Sequence, residues 1–211
     1  VDETERGMWG GPEQPTVEVV EQQVCYQGFF RMEHYRLRHR LYDGGMSRLL
    51  SRELFERGHA AAVLPYDPLL DRIVLLEQFR IGALDMPGGP WLLEIVAGII
   101  EDGESPADVV RREIQEEAGC ALLDLEPICD YLVSPGGTSE RISLFCGRVD
   151  ASAAGGIHGL AAEGEDIRVG SVSFEEALAL LHAGRINSAS PIIALQWLQL
   201  HRERLRRQWC P

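Results

Sequence analysis

Arg112, Glu113, Glu116 and Glu117 fall within two turns of one stretch, and three of the four carry carboxylates. On a helix, Glu113 and Glu117 stand one above the other at i and i+4, with Glu116 beside them. Like charges so placed repel by roughly a few tenths of a kcal/mol per pair, and a helix selected only for stability would alternate their sign. The arrangement calls for a cation. Hard divalent ions, Mg²⁺ above all, take carboxylate oxygens and complete their shell with water and substrate phosphate. A solvated acidic face is the competing reading of these residues taken alone.

The flanking residues predict the element that holds them. Ser105-Pro106 is a helix opening, a hydroxyl cap followed by a ring whose missing N–H costs nothing at the first helical position. Asp108 completes a weak capping box, and Gly119 supplies a left-handed stop. Ala107, Val110 and Ile114 make an apolar stripe, so a helix is predicted over 106–118.

Around that helix the chain of 211 residues is 45% apolar, enough for an ordinary core, with a formal net charge of −13. Such a balance argues against general nucleic-acid or anionic-membrane binding, so phosphate must be met by bound cations and a few local arginines. The cysteines at 25, 120, 129, 146 and 210 show no CxxC spacing and no even framework. They read as reduced thiols of a cytoplasmic protein. No apolar run approaches a membrane span, and no signal-peptide pattern opens the chain.

Residues 1–15, rich in Gly, Pro and acids, are expected to be a mobile arm. Residues 16–57 form a β-rich segment too small for an independent core, expected to pack on the rest or on a second copy. The remainder, 58–211, reads as one catalytic domain. HAAAVLPYD and RIVLLEQFR are buried strands, WLLEIVAGI is a single strand running toward the helix, and ALLDLEPICDYLV and RISLFCGRV flank a turn at 134–140. ASAAGGIHGLAAEGED is expected to be a long loop, either functional or disordered, its His158 solvated. IRVGSVSF is a last strand before two amphipathic helices. A mixed sheet between helices gives an α/β class and an α/β/α sandwich.

Spacing adds a resemblance. Gly98, five residues, Glu104, seven residues, Arg112-Glu113-Ile114, one residue, Glu116-Glu117, one residue and Gly119 reproduce the box of the Nudix hydrolases. Only the last position departs, where Cys120 replaces an aliphatic residue. The resemblance implies the Nudix α/β/α sandwich with a small N-terminal β-rich subdomain. Beyond the box, the phrases GFFRMEHYRLRHRL, ELFERGHAAAVLPYD, WLLEIVAGIIEDGE, SPGGTSER and GIHGLAAEGEDIRV resemble the branch of the family that cuts ADP-ribose to AMP and ribose 5-phosphate.

That resemblance implies a site. Glu113, Glu117, the Ala97 carbonyl and the loop residue Glu165 would hold two or three Mg²⁺, and Glu163 would be the general base. Substrate contacts carry over to Phe29, Arg52, Glu53, Arg57, Arg80, Ile99, Ser134 and Glu140. Glu104 and Arg112 would anchor and orient the carboxylates, and Glu116 is either a ligand or a supporting group. A homodimer that shares its active sites through the N-terminal segment is also implied. Another nucleoside diphosphate sugar such as GDP-mannose is the alternative substrate. A nucleotide sensor without catalysis is the alternative from another class, disfavoured because a sensor has no use for clustered repelling carboxylates.

Overall fold

The computed structural model describes residues 16–210, apart from the side chain of Glu163. The expected arm at 1–15 lies outside the described residues. Two compact units emerge, one of 16–57 with Ser134–Glu140, the other of Gly58–Val133 with 141–210. The stretch read from sequence as a continuous 58–211 is thus interrupted. The 134–140 turn groups with the first unit because the Phe55 amide donates to the Gly137 carbonyl (2.8 Å) and Arg57 pairs with Glu140 (3.4 Å).

The first unit is an antiparallel sheet of β1 (Val17–Gln27), β2 (Arg31–His39) and β3 (Leu50–Glu56), in that order. Every residue of β1 is exposed, including Val17, Val19, Val24 and Tyr26. Glu33 of β2 is the buried exception in polarity. It is satisfied by Arg31 (2.6 Å), the Tyr35 hydroxyl (2.6 Å) and Gln22 (2.9 Å), as a buried carboxylate must be.

The second unit is a mixed sheet between helices, an α/β sandwich. Its strands are β4 (Ala60–Asp67), β5 (Arg72–Phe79), β6 (Trp91–Glu94), β7 (Val96–Ile99), β8 (Asp124–Leu132), β9 (Arg141–Arg148), β10 (Gly155–His158) and β11 (Ile167–Ser173). The main path runs β10-β11-β5-β4-β9-β8, and β4 and β9 pair in parallel. Period-two alternation divides β4 and β5 between two cores. Ala62, Leu64, Tyr66, Ile73 and Leu75 face α2 (Phe174–His182) and α3 (Ala189–Trp209), whereas Ala61, Val63, Val74 and Leu76 face α1 (Pro106–Ala118). Pro127 sits on the edge strand β8 at a register shift, where a missing N–H is tolerated.

Two expectations need correction. WLLEIVAGI is two strands. The β4–β5 hairpin pairs with itself only near its turn, at Tyr66↔Ile73 and Asp67↔Arg72, and then opens. β6 fills the wedge along β5 and β7 along β4, with buried Ile95 as the crossing residue. The glycine-rich stretch 151–166 is not a plain loop either, since β10 pairs antiparallel with β11 and a single 3₁₀ turn at Ala161–Glu163 lies in the connection between them.

All five cysteines are free thiols. No helix among the described residues is long and apolar enough to cross a membrane.

Candidate active site

α1 is built as its sequence dictates. The Ser105 hydroxyl accepts from the Asp108 amide (3.2 Å), and Pro106 occupies the first turn. Gly119, at φ 63°, closes the helix while Cys120 N–H reaches back to the Ile114 carbonyl (3.2 Å). Val109, Val110, Ile114 and Ala118 bury one face against the sheet. That docking turns Glu113 and Glu117 toward β7.

These carboxylates are not a solvated face. Glu117 is 2% exposed, and the hydrogen bond found for its carboxylate is the Ala97 amide of β7 at 3.0 Å. Burial pushes its carboxyl up to about 8 against the pull of that amide, and the charges of Glu113 and Glu165 add to the rise. Glu113 is also raised, first by burial, although Arg112 opposes it. Gly98 makes this approach possible. A Cβ there would lie within 2.5 Å of Glu113 Cγ and closer still to the carboxylate, so any larger residue would displace the Glu113 side chain from this position.

Arg112 ties the acidic face together. Its guanidinium donates to Glu113 (2.7 Å) and Glu116 (3.2 Å), and it meets both oxygens of Glu104 at 3.4 Å. Glu104 in turn accepts from the Glu101 amide (3.1 Å), anchoring the loop before the helix. Glu116 is thereby engaged with Arg112.

The residues from 158 to 165 lie against the end of α1. Gly159 N–H donates to the Glu116 carbonyl (3.3 Å), and the His158 ring rests where a Cβ on Gly119 would be. His158 is therefore half-buried and hydrogen-bonded to the Gly155 carbonyl (2.9 Å), contrary to the solvated histidine expected. Glu165 accepts from the Leu160 amide (3.0 Å) and packs closely on Gly159, whose φ is 95°. Its charge is felt at both Glu113 and Glu117. The side chain of Glu163, the expected base, lies outside the described residues.

The donor set suits a hard divalent cation. The charge of Glu165 raises the proton affinity of Glu113 and Glu117, the charge of Glu113 adds to that of Glu117, and partly buried, oxygen-rich carboxylates that repel in this way are what Mg²⁺ relieves. Among the described residues no three such side chains come together as a ligand set by themselves.

At the rim of the same unit, Arg80 follows β5 and Ile99 ends β7, the latter 37% exposed. Arg80 Nε donates to Glu94 of β6 at 2.7 Å, and its charge reaches Glu117. Glu94 was not among the sequence candidates. The signal for it was an acid inside the apolar run WLLEIVAGI.

The other candidates lie in the first unit. Phe29 is 87% exposed and meets Phe30 edge to face (4.8 Å), while the Arg57 guanidinium lies over the Phe30 ring (5.2 Å) and pairs with Glu140, itself 5% exposed. Arg52 donates to the Ser51 carbonyl (2.8 Å), and Glu53 lies opposite His34 on the exposed sheet. The Ser134 carbonyl accepts from the Gly137 and Thr138 amides, both at 3.0 Å.

Comparison with known proteins adds to this geometry. The NUDIX domain model matches residues 56–195. The chain is 54% identical over 193 residues to an ADP-ribose pyrophosphatase of Escherichia coli (strain K12), with 92% of each chain covered. It is 45% identical to the ADP-ribose pyrophosphatase of Haemophilus influenzae, covering 93% of this chain and 92% of that one. To a GDP-mannose pyrophosphatase of Pectobacterium atrosepticum it is 33% identical, covering 85% and 92%. A solved structure titled as an ADP compounds hydrolase superposes with a TM-score of 0.68 at 20% identity, over 95% of this chain and 98% of that one, and shares its fold.

Proposed function

Because the chain belongs to the NUDIX family, we propose that it hydrolyses the pyrophosphate of ADP-ribose to AMP and ribose 5-phosphate with Mg²⁺. The observation that carries this reading is the 54% identity over 92% of both chains to an enzyme named for that activity. Buried Glu117 and partly buried Glu113, which repel one another, support it, since a protein that only bound nucleotide would gain nothing from keeping these charges.

Glu113, Glu117, the Ala97 carbonyl and Glu165 would hold two or three ions. Bound Mg²⁺ would supply neutralisation of the pyrophosphate and a more acidic water. Glu163 accepts the proton as water oxygen bonds to phosphorus and the bridging P–O bond breaks, leaving one phosphate on each product. Arg112 holds Glu113 and Glu116 in place. Arg80, Arg52 and Arg57 fork onto phosphate oxygens. Phe29 offers a flat apolar face to adenine, and Glu53, Ile99, Ser134 and Glu140 complete the contacts.

Phe29 and the fully exposed β1 leave apolar surface that a monomer rarely keeps. We therefore assign 16–57 to a homodimer interface that lends residues to the partner's site, in a cytoplasmic enzyme. Sedimentation at micromolar concentration should give a dimer; a fully active monomer overturns this.

GDP-mannose is the second reading, supported by the 33% identity to enzymes named for it. Incubation with a panel of nucleoside diphosphate sugars and Mg²⁺, followed by product identification, decides between them. AMP and ribose 5-phosphate from ADP-ribose at the highest kcat/KM is the expected result. A higher kcat/KM for GDP-mannose overturns the first reading.

A further inference from the structure

We infer that Glu94 is a positioning residue for the reaction, acting by holding Arg80 over the carboxylate cluster. The inference rests on the hydrolase reading above and extends it to a residue that neither sequence nor resemblance singled out.

Alternation along β5 sets the geometry. Leu76 belongs to the α1 core, so Gln78, two residues on, points to the same face. Arg80 continues that register just past the strand end. Glu94 pairs with Leu76 across β5 and β6, which brings it to that face too. The side chains meet there. Glu94 Oε2 accepts from Arg80 Nε at 2.7 Å and from Gln78 Nε2 at 3.3 Å, with Gln78 itself 5% exposed.

The pair is unusual in its setting. Glu94 is 15% exposed at its side chain, whereas Arg80 is 44% exposed. A partly sunken carboxylate thus grips a guanidinium by its Nε edge. The rest of the fork stays accessible, and Nη1 and Nη2 carry four of the five N–H donors. Such an arm presents its donors to an anion in a fixed direction, which a free arginine achieves only at the expense of rotamer entropy. Its setting is the face that α1 covers, since Arg80 continues the register of Leu76 and Glu94 pairs with Leu76 on that face. Chain connectivity reinforces this. Glu94 is three residues from Ala97, whose amide holds Glu117, so one strand pair carries both the ligand support and the arginine support.

If Glu94 serves only to stiffen the sheet, its loss should lower stability and act independently of Arg80. If it aims Arg80, the two substitutions share one effect. A double-mutant cycle separates these. Arg80→Ala is expected to lower kcat/KM by about 100-fold, the loss of an oriented phosphate contact. Glu94→Ala should lose about 10- to 30-fold, and Glu94→Gln, whose amide oxygen still accepts from Nε, no more than about fivefold. The double variant Arg80→Ala/Glu94→Ala should match Arg80→Ala within twofold. Multiplying losses in the double variant, or full activity in Glu94→Ala, overturns the inference. Should Glu94→Ala fail to fold, Glu94→Leu replaces it in the same cycle under the same criterion.

Wild-type enzyme is assayed on ADP-ribose first. If it cuts another nucleoside diphosphate sugar instead, the substrate reading fails and the cycle is run on that sugar. If it cuts none, the cycle is read in the Kd for inorganic pyrophosphate, and the same multiplicative or non-multiplicative outcome decides the role of Glu94.

Discussion

Gly98 on β7 and Glu113 on α1 are packed so closely that the space a Cβ would need at 98 is filled by the Glu113 side chain. The first glycine of the box is therefore a steric requirement for bringing a carboxylate against a strand.

Gly98→Ala should push Glu113 aside. Overpacking of this kind costs about 1 to 3 kcal/mol, a Tm loss of several degrees in a chain of this length, and the fold should survive it. Activity should not, because displacement of a reacting group by about 1 Å can cost 10²-fold. Calorimetry and turnover measured together check this, and a variant with wild-type kcat would show that Glu113 can relocate without consequence.

Glu117 is buried with a single amide donor and two neighbouring negative charges. Glu117→Gln keeps the acceptor for Ala97 and removes the charge. In chelator the variant should therefore melt higher than wild type by a few degrees. With Mg²⁺ the order should reverse, because only the carboxylate gains from the ion. Turnover should fall to near background. Thermal shift with EDTA and with Mg²⁺ reads both signs, and a lower melting point for the variant in EDTA refutes the account.

Asp71 joins three elements. In the turn after β4 at φ 55°, it accepts from the Tyr66 hydroxyl (2.7 Å) and from Arg202 of α3 (Nε, 2.8 Å), while its carbonyl accepts from the Phe174 amide (3.2 Å). Burial raises its carboxyl, but hydrogen bonds from Arg202 and Tyr66 and the charges of Arg202 and Arg206 outweigh that and bring it below the usual 3.8. A lowered folded-state pKa stabilises above the unfolded value and loses that contribution as pH falls through the folded one. Asp71→Asn, which tolerates the left-handed backbone, should cost about 2 kcal/mol at pH 7. The difference from wild type should shrink as pH drops below about 3.8. Denaturant unfolding at several pH values tests this, and a constant difference would contradict the assignment.

What could be read from the sequence was local. Ser105, Pro106 and Gly119 fix the ends of α1 by their own capping chemistry, and Val110 and Ile114 name its buried face; all of it lies within one turn of the residues concerned. The split of WLLEIVAGI could not be read, because it depends on where the β4–β5 hairpin opens, a property of strands some twenty residues away. Glu94 was hidden for the same reason: an acid in an apolar run has no partner until β6 lies beside β5. His158 was misjudged because its neighbour, Gly119, is distant in sequence and matters by lacking a side chain.

Glu165 and Glu163 stand two residues apart and are assigned different work. Glu165 sits on the Leu160 amide and beside Gly159, and its charge reaches both helix carboxylates, so it is placed to feel a cation. Gly159 and Gly164 at positive φ let this segment hold conformations that other residues resist. Loss of a ligand should raise the Mg²⁺ needed for half-maximal rate, with kcat partly recovered at high metal. Loss of a general base should instead lower kcat by about 10²- to 10⁴-fold at every Mg²⁺ concentration. Glu165→Gln is expected to follow the first pattern and Glu163→Gln the second, and Mg²⁺ titrations of both variants on ADP-ribose distinguish them. Two wild-type curves would remove this segment from the mechanism and leave Glu116 and Glu140 as the carboxylates to test for the base.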